Sequence, residues 1–481
     1  MSRPGARALI DSVVDPDSFQ SWNEPIDRTG HDAEYLSELK RAETKAGTDE
    51  AVLTGRARVR GHAAALVVSE FGFLGGSIGT ATSARIAAAV RRATRERLPL
   101  IAAPSSGGTR MQEGTPAFVQ MIEISRAVVA HKAAGLPYLV YLRHPTTGGV
   151  LASWGSLGHV SVAEPGALIG FLGPVVYRTL HGQPFPEGVQ VAENLVDKGI
   201  IDAVVPTEGL ADVAARTLAL LSGRPHTNVS SLPARHEMGV PPDGDAWASI
   251  TLTRRPDRPG VRELLRYAAD DFLPLNGTQS GETDDALLLA LISFSATACV
   301  LVGQDRHVQS QQRPLGPAAL RSARRGMRLA QELRLPLVCV IDTPGGDLSA
   351  AAEEGALAGE IARCLAKMVE LTVPTVSILL GEGTGGGALA LLPARRVIAA
   401  GNAWLAPLPP EGASAIMHGS SDFAPQMARR QRVRAPDLLA DGTVHAVVPE
   451  LVAAHEEPAA FARRIADECV HQIRLQGSAA H

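Results

Sequence analysis

Val373-Pro374-Thr375-Val376-Ser377-Ile378-Leu379-Leu380 runs directly into Gly381-Glu382-Gly383-Thr384-Gly385-Gly386-Gly387-Ala388-Leu389-Ala390. An apolar run that turns through glycines into small residues reads as a strand entering a helix. Such a turn leaves backbone N–H groups and a helix N-terminus facing open space, where they can hold an anionic oxygen. The first half of the chain carries the same device. Leu136-Pro137-Tyr138-Leu139-Val140-Tyr141-Leu142 is followed by Pro145-Thr146-Thr147-Gly148-Gly149-Val150-Leu151-Ala152-Ser153. Two copies in matching positions suggest a reaction in which two oxyanions develop.

The repeat extends outward from the glycines. Before each turn lies another apolar strand with a polar end. Pro99–Ala103 leads into Pro104-Ser105-Ser106-Gly107-Gly108-Thr109-Arg110, and Pro336–Ile341 leads into Asp342-Thr343-Pro344-Gly345-Gly346. After each turn comes a further strand and a Glu/Pro/Gly corner, Glu164-Pro165-Gly166 and Pro410-Glu411-Gly412. Each half closes on a similar phrase, Gly199-Ile200-Ile201-Asp202-Ala203-Val204-Val205-Pro206 and Gly442-Thr443-Val444-His445-Ala446-Val447-Val448-Pro449. The chain reads as two copies of one α/β domain.

A length of 481 residues exceeds what one core supports. Hydrophobic residues make up 45% and aromatics 4%, so the cores must be built from Ala, Val, Leu and Ile, as buried parallel strands among Ala-rich helices are. A net charge of −4 argues against nucleic acid as the main partner. No apolar run approaches the length of a membrane span, and Met1-Ser2-Arg3-Pro4-Gly5 lacks a secretory apolar segment, so a cytoplasmic protein is expected. Cys299, Cys339, Cys364 and Cys469 are scattered, without metal-ligand spacing. No metal is expected in this chain.

Periodicity predicts helices over Ala33–Ala46, Thr80–Arg95 and Gly260–Phe272, and a hairpin turning at Arg60-Gly61. Residues 222–245 are rich in Pro, Gly and Ser and read as a linker. The expected organisation is therefore an N-terminal domain over 1–221, the linker, and a C-terminal domain over 246–481.

Repeated β-β-α units with strand-to-helix glycine turns resemble the spiral crotonase fold, in tandem. The quoted phrases carry a closer resemblance. Phe71-Gly72-Phe73-Leu74-Gly75-Gly76-Ser77-Ile78-Gly79, Ser106–Glu113, Pro145–Gly149 and Ala163–Phe171 are similar to the β subunit of the carboxyltransferase of bacterial acetyl-CoA carboxylase. Arg255-Pro256-Asp257-Arg258-Pro259, Ile341–Gly345, Gly381–Ala390 and Pro410–Ile416 are similar to its α subunit. Together they span nearly the whole chain, as a fused β–α carboxyltransferase would. Two features depart from the pattern. No cysteine precedes Cys299, so the four-cysteine zinc ribbon usual in the β subunit is absent here, and Gly346-Asp347-Leu348-Ser349-Ala350 differs from the usual α-type phrase.

The resemblance implies transfer of a carboxyl group from biotin to acetyl-CoA, giving malonyl-CoA. Biotin, carried on a separate biotin carboxylase or carboxyl carrier subunit, would be the cofactor and the base, so no side-chain base is required. Charge would develop on the biotin ureido oxygen and on the thioester oxygen, and losing one preorganised donor costs about 10²–10³ in rate. The implied catalytic groups are Gly148 and Gly149 for the thioester, and Gly386 and Gly387 for biotin. Gly107, Gly108, Arg110 and Ala388 are implied in substrate binding. Arg321, Arg324, Arg325 and Arg328 share a helix face, and Arg324 and Arg325 stand as partners for CoA phosphates, with a solvated basic face as the alternative. A homo-oligomer is expected, with the β-type half of one protomer facing the α-type half of another.

Other readings compete. Gly381-x-Gly383-x-x-Gly386 matches a dinucleotide-binding pattern, but the following strand region, Val397–Ala403, offers no carboxylate. Ser105, Ser106 and Ser414 lie outside any Gly-x-Ser-x-Gly motif. Glu113 and Glu411 are candidate general bases, Glu113 being read first as orienting the Ser106–Arg110 loop. A malonyl-thioester decarboxylase would use the same two holes in reverse, and a non-catalytic scaffold would use neither.

Overall fold

The computed structural model describes residues 3–222, 245–310 and 313–478. The expected linker lies almost wholly outside the described residues. The described residues divide into two compact units. The first is built from residues up to Ala219 with Gln279–Gly281, and the second from the remainder.

The first unit has a seven-stranded sheet. Its strands are β1 (Gln20–Ser21), β2 (Val52–Val59), β3 (His62–Ser69), β4 (Leu100–Ala103), β5 (Tyr138–Leu142), β7 (Val160–Ala163) and β9 (Ala203–Val204), in the order β1-β2-β3-β4-β5-β7-β9. Two short strands, β6 (Thr146–Thr147) and β8 (Ile169–Gly170), pair separately. The hairpin β2–β3 is antiparallel and turns at Arg60-Gly61, both at positive φ. Every later pairing in the sheet is parallel. Helices Ala33–Ala46 and Thr80–Arg95 occupy the expected spans.

The second unit repeats this plan. Its strands are β10 (Asp271–Leu275), β11 (Leu287–Phe294), β12 (Thr297–Gln304), β13 (Leu337–Thr343), β14 (Thr375–Thr384), β15 (Arg396–Ala400), β16 (Trp404–Ala406) and β17 (Ala446–Val448). The hairpin β11–β12 is antiparallel, and β12-β13-β14-β15-β17 is parallel throughout. Strand β16 pairs with the end of β14, as β8 pairs with β6.

All seven residues of β13 and all eight of β12 are buried, which is what helices on both faces of a parallel sheet produce. Each fully buried Leu, Ile or Val contributes roughly 1.5–3 kcal/mol relative to exposure. Gly326, inside helix Pro317–Leu333, lets that helix approach the sheet: a Cβ there would lie 2.4 Å from Val302 Cγ2. The four cysteines are free and buried, as core residues.

One expected helix is shorter than its periodicity suggests. It ends at Ala268 rather than Phe272, and Asp271–Leu275 turns into edge strand β10, pairing Phe272 with Ile292. Pro274 disfavours a helical residue before it, and the ladder with β11 supplies the hydrogen bonds the helix would have made. Among the described residues no helix is long and apolar enough to cross a membrane.

Candidate active site

In the first unit, β6 ends at Thr147 in an extended conformation, and a single helical turn, Gly148–Leu151, follows. In the second, β14 ends at extended Thr384, and Gly385–Leu389 follows. The first helical residue is left-handed in both, Gly148 at φ +61 and Gly385 at φ +63. Glycine is needed at these two positions because a Cβ strains that conformation.

The structure therefore aligns Thr147-Gly148-Gly149-Val150 with Thr384-Gly385-Gly386-Gly387. This corrects the assignment of Gly148 as an oxyanion donor. Its N–H donates to the Phe171 carbonyl at 3.1 Å. Beyond Gly148 and its counterpart Gly385, the first-turn N–H groups without an intrahelical acceptor are those of Gly149 and Val150, and in the second unit those of Gly386 and Gly387. Glycine pairs alone do not mark Val150 as a donor, because it follows the pair Gly148-Gly149. The threonine that ends each strand is the signal that sets the register. Ala388, the fourth residue of its turn, is buried, and its N–H closes the first intrahelical bond onto Thr384, so it is not an available donor.

Packing within each unit also calls for glycine at the donor positions. A Cβ on Gly149 would lie 2.5 Å from Met121 Sδ. A Cβ on Gly386 would lie 2.5 Å from Ile361 Cδ1, and one on Gly387 would lie 3.0 Å from Leu315 Cδ2 and 3.5 Å from the Gly346 nitrogen. These glycines let each turn press onto its own unit, which fixes where the N–H groups point.

Each turn is braced by the loop after the preceding strand, and the two braces match. Gly108 is at φ +114 and donates to Ser106 Oγ at 3.0 Å; Gly345 is at φ +131 and donates to Thr343 Oγ1 at 3.1 Å. Gly107 donates to Gly75 O at 2.9 Å. Gly107 and Gly108 were expected to bind substrate, but their N–H groups hold the loop instead. The hydroxyl of Ser106 is buried in this role, as a turn residue's would be.

Arg110 is likewise corrected from substrate binding to structure. It is 1% exposed, pairs with Glu50, and donates to Ser77 O at 2.9 Å and to Thr82 Oγ1 at 3.2 Å. Glu113 accepts from Tyr35 Oη at 2.6 Å and from the Thr80 N–H at 2.6 Å. Burial pushes the Glu113 carboxyl up, but the donors from Tyr35 and Thr80 outweigh it and hold the group below its ordinary value. An ionised acceptor tied to a helix N-terminus orients the loop rather than shuttling protons.

In the second unit the turn is held by groups that the motifs did not single out. Gln304, fully buried at the end of β12, donates to Gly387 O at 2.7 Å and accepts the Asp342 N–H at 3.0 Å. Asp342 accepts the Glu382 N–H at 3.0 Å and pairs with Arg306 at 3.2 Å. Arg254 bridges Glu382 at 3.2 Å and Glu411 at 2.5 Å. Burial raises the Glu382 carboxyl despite Arg254. Glu411, an expected candidate base, is occupied by Arg254. A polar residue closing a run of apolar strand residues, as Gln304 does, is the sequence signal that was available.

Arg324 and Arg325 are not free for phosphates. Arg324 pairs with buried Glu360 at 2.7 Å, and Arg321 and Arg363 join the same carboxylate. Arg325 is buried and donates to Asn276 O at 2.7 Å and to Gly277 O at 3.1 Å. The expected basic face is an ion-pair cluster, because helix Leu357–Glu370 packs Glu360 against it.

Residues 3–477 match the carboxyl transferase domain family. A Mycobacterium tuberculosis protein named probable biotin-dependent acyl-coenzyme A carboxylase beta3 subunit is 55% identical over 478 residues, covering 98% of this chain and 95% of its own. The acetyl-coenzyme A carboxylase carboxyl transferase subunits beta/alpha of Salinispora tropica are 38% identical over 483 residues, covering 95% and 85%. Among solved structures, the transcarboxylase 12S hexamer, with methylmalonyl-coenzyme A and methylmalonic acid bound, aligns at a TM-score of 0.77 with 21% identity, covering 99% of this chain and 90% of its own. A single-chain, multi-domain long-chain acyl-CoA carboxylase aligns at 0.74 with 19% identity, covering 96% of this chain and 45% of that one. These two share the fold, two α/β units of crotonase type.

Proposed function

We infer, because this chain belongs to the carboxyl transferase domain family, that it is the carboxyltransferase of a biotin-dependent acyl-CoA carboxylase and that its acyl substrate is acetyl-CoA. The observation that carries this reading is the duplicated first turn, with two first-turn N–H groups in each unit that have no intrahelical acceptor. Gly149 and Val150 would hold the thioester oxygen, and Gly386 and Gly387 the biotin ureido oxygen. Biotin on a partner subunit supplies the carboxyl group and the base. The chain's own part is to hold both oxygens in preorganised donor pairs, which gains most where water is excluded. Gln304, Ser106 and Thr343 keep those pairs in place. Assembly as a homo-oligomer, with a separate biotinylated subunit as partner, belongs to the same proposal.

The test is carboxylation of a panel of acyl-CoAs by the purified chain with a biotinylated partner and its carboxylase. Malonyl-CoA formed from acetyl-CoA with the highest kcat/KM is the expected result. Faster carboxylation of a longer acyl-CoA would overturn the choice of acetyl-CoA, and no carboxylation of any would overturn the function.

A further inference from the structure

The motifs Gly381-Glu382-Gly383 and Arg255-Pro256-Asp257-Arg258-Pro259 supply none of the donor N–H groups, yet the second unit brings them together. Helix Ala246–Thr253 touches strand β14, and the residues after it tie to that strand at three points. Arg258, 2% exposed, donates to Leu380 O at 2.9 Å and pairs with buried Glu450 at 2.9 Å. Arg306 donates to Thr253 O at 2.6 Å and to Arg255 O at 3.1 Å, and it holds Asp342, which accepts the Glu382 N–H. Arg254 pairs with Glu382 at 3.2 Å, and its guanidinium lies 5.4 Å from the ring centroid of Trp404, the residue that pairs with Glu382 across β14 and β16. Trp404 Nε1 in turn donates to Thr253 Oγ1 at 2.9 Å. A Cβ on Gly381 would lie 2.6 Å from Asp342 Oδ1, so glycine there lets this clasp close on the strand.

Glu382 is where this clasp meets the donor pair. It stands two residues before Thr384 on β14, and Thr384 Oγ1 lies 3.5 Å from its Oε1. Thr384 is the extended residue from which the turn Gly385–Leu389 starts, so a tilt of the last strand residues is carried into the Gly386 and Gly387 N–H groups. The Glu382 side chain is 12% exposed. Burial opposes its ionisation, and Arg254 favours it. Asp342 on β13 and Arg306 after β12 also act on it, and Glu411 shares Arg254. Removing the Glu382 charge leaves Arg254 to Glu411 and unfastens the strand end that carries the turn.

We propose that Glu382 is a positioning residue for carboxyl transfer: its ion pair with Arg254 holds the end of β14, and through Thr384 it holds the Gly386 and Gly387 donors in register with the biotin ureido oxygen. Its part is geometric. Donors must stay within about 0.5 Å of their productive place, and a misplacement of about 1 Å from a remote change costs about 10²-fold in rate. The inference rests on the carboxyltransferase reading above.

Glu382→Gln tests it, because it keeps the shape of the side chain and removes the charge. Asp257→Asn, which breaks the exposed pair with Arg255 in the same segment, is the control. Two measurements are made on the full chain: carboxyl transfer with the biotinylated partner, and amide hydrogen exchange of residues 382–389 without substrate. The expected result for Glu382→Gln and for Arg254→Met is a kcat lower by at least ~10-fold with KM for acyl-CoA within about twofold, and Arg254→Lys intermediate. Exchange of 382–389 should quicken in the same order, and the control should match the parent in both measurements. A Glu382→Gln kcat within about twofold of the parent, or a lower kcat with the parent's exchange rates, overturns the positioning role. A parent chain that carboxylates no acyl-CoA overturns the carboxyltransferase reading. Exchange then decides the clasp alone: faster exchange in Glu382→Gln supports it, and the parent's rates overturn it.

Discussion

The side-chain amide of Gln304 donates to the carbonyl oxygen of Gly387 at 2.7 Å, while its own carbonyl accepts the Asp342 N–H at 3.0 Å. One buried amide thus ties the second glycine turn to the strand beside it. Gln304→Leu would leave the Asp342 N–H buried without this acceptor, at about 1–3 kcal/mol. Urea unfolding should show that loss, and carboxyl transfer should fall in kcat more than in KM. Unchanged stability and kcat would refute this role.

Filling the donor turns should stop transfer in either unit. Gly149→Val must displace Met121, and Gly387→Val must displace Leu315 beside the Gly345–Gly346 backbone. Either moves N–H groups by more than the ~0.5 Å that catalytic constellations tolerate. Loss of at least ~10²-fold in rate is expected from each. Gly148→Ala should act differently: it strains a φ of +61 by roughly 1–2 kcal/mol and should appear first in Tm. The rate of carboxyl transfer and the melting curve of each variant decide between these outcomes.

Arg110 should behave as a core residue. Glu50→Ala leaves its guanidinium buried without its main partner, and breaking a buried pair costs about 3–5 kcal/mol. Tyr35→Phe removes one hydrogen bond to Glu113 and should cost about 1 kcal/mol. CoA affinity of whatever remains folded should match the parent. A Glu50→Ala protein of full stability with weakened CoA binding would return Arg110 to the substrate site.

Acid should destabilise the first unit through His131. Burial holds this imidazole down to about 4, with Nε2 3.2 Å from Pro137 O, Nδ1 3.0 Å from Thr94 Oγ1, and His159 adding like-charge repulsion. The unfolded chain takes up a proton near pH 6.5, whereas the folded ring resists it until about 4. Stability is therefore full above pH 6.5 and falls as pH drops toward 4, by about 3 kcal/mol from this group. Urea titrations at pH 7, 5.5 and 4.5 should show the slope, and His131→Gln should flatten it. A variant with the parent's pH slope would exclude His131 as the source.

The repeat is legible in the chain before it folds. Strand and helix periods, glycine turns and matching closing phrases are local, so Ala33–Ala46, Thr80–Arg95 and the hairpin at Arg60-Gly61 could be read directly. The sequence also located both glycine turns, since a left-handed first residue demands glycine wherever it occurs. What it did not reveal is which groups are already engaged. The pairing of Arg110 with Glu50, of Arg324 with Glu360 and of Gln304 with Gly387 joins residues 36–83 positions apart. Whether a cation or an N–H is free is decided only when distant elements pack. The same holds for Gly148, whose N–H is taken by Phe171 from another strand end, so that the donor pair moves on to Gly149 and Val150. The helix turn is set by the local chain; the atoms it leaves available are set by the tertiary contacts around it.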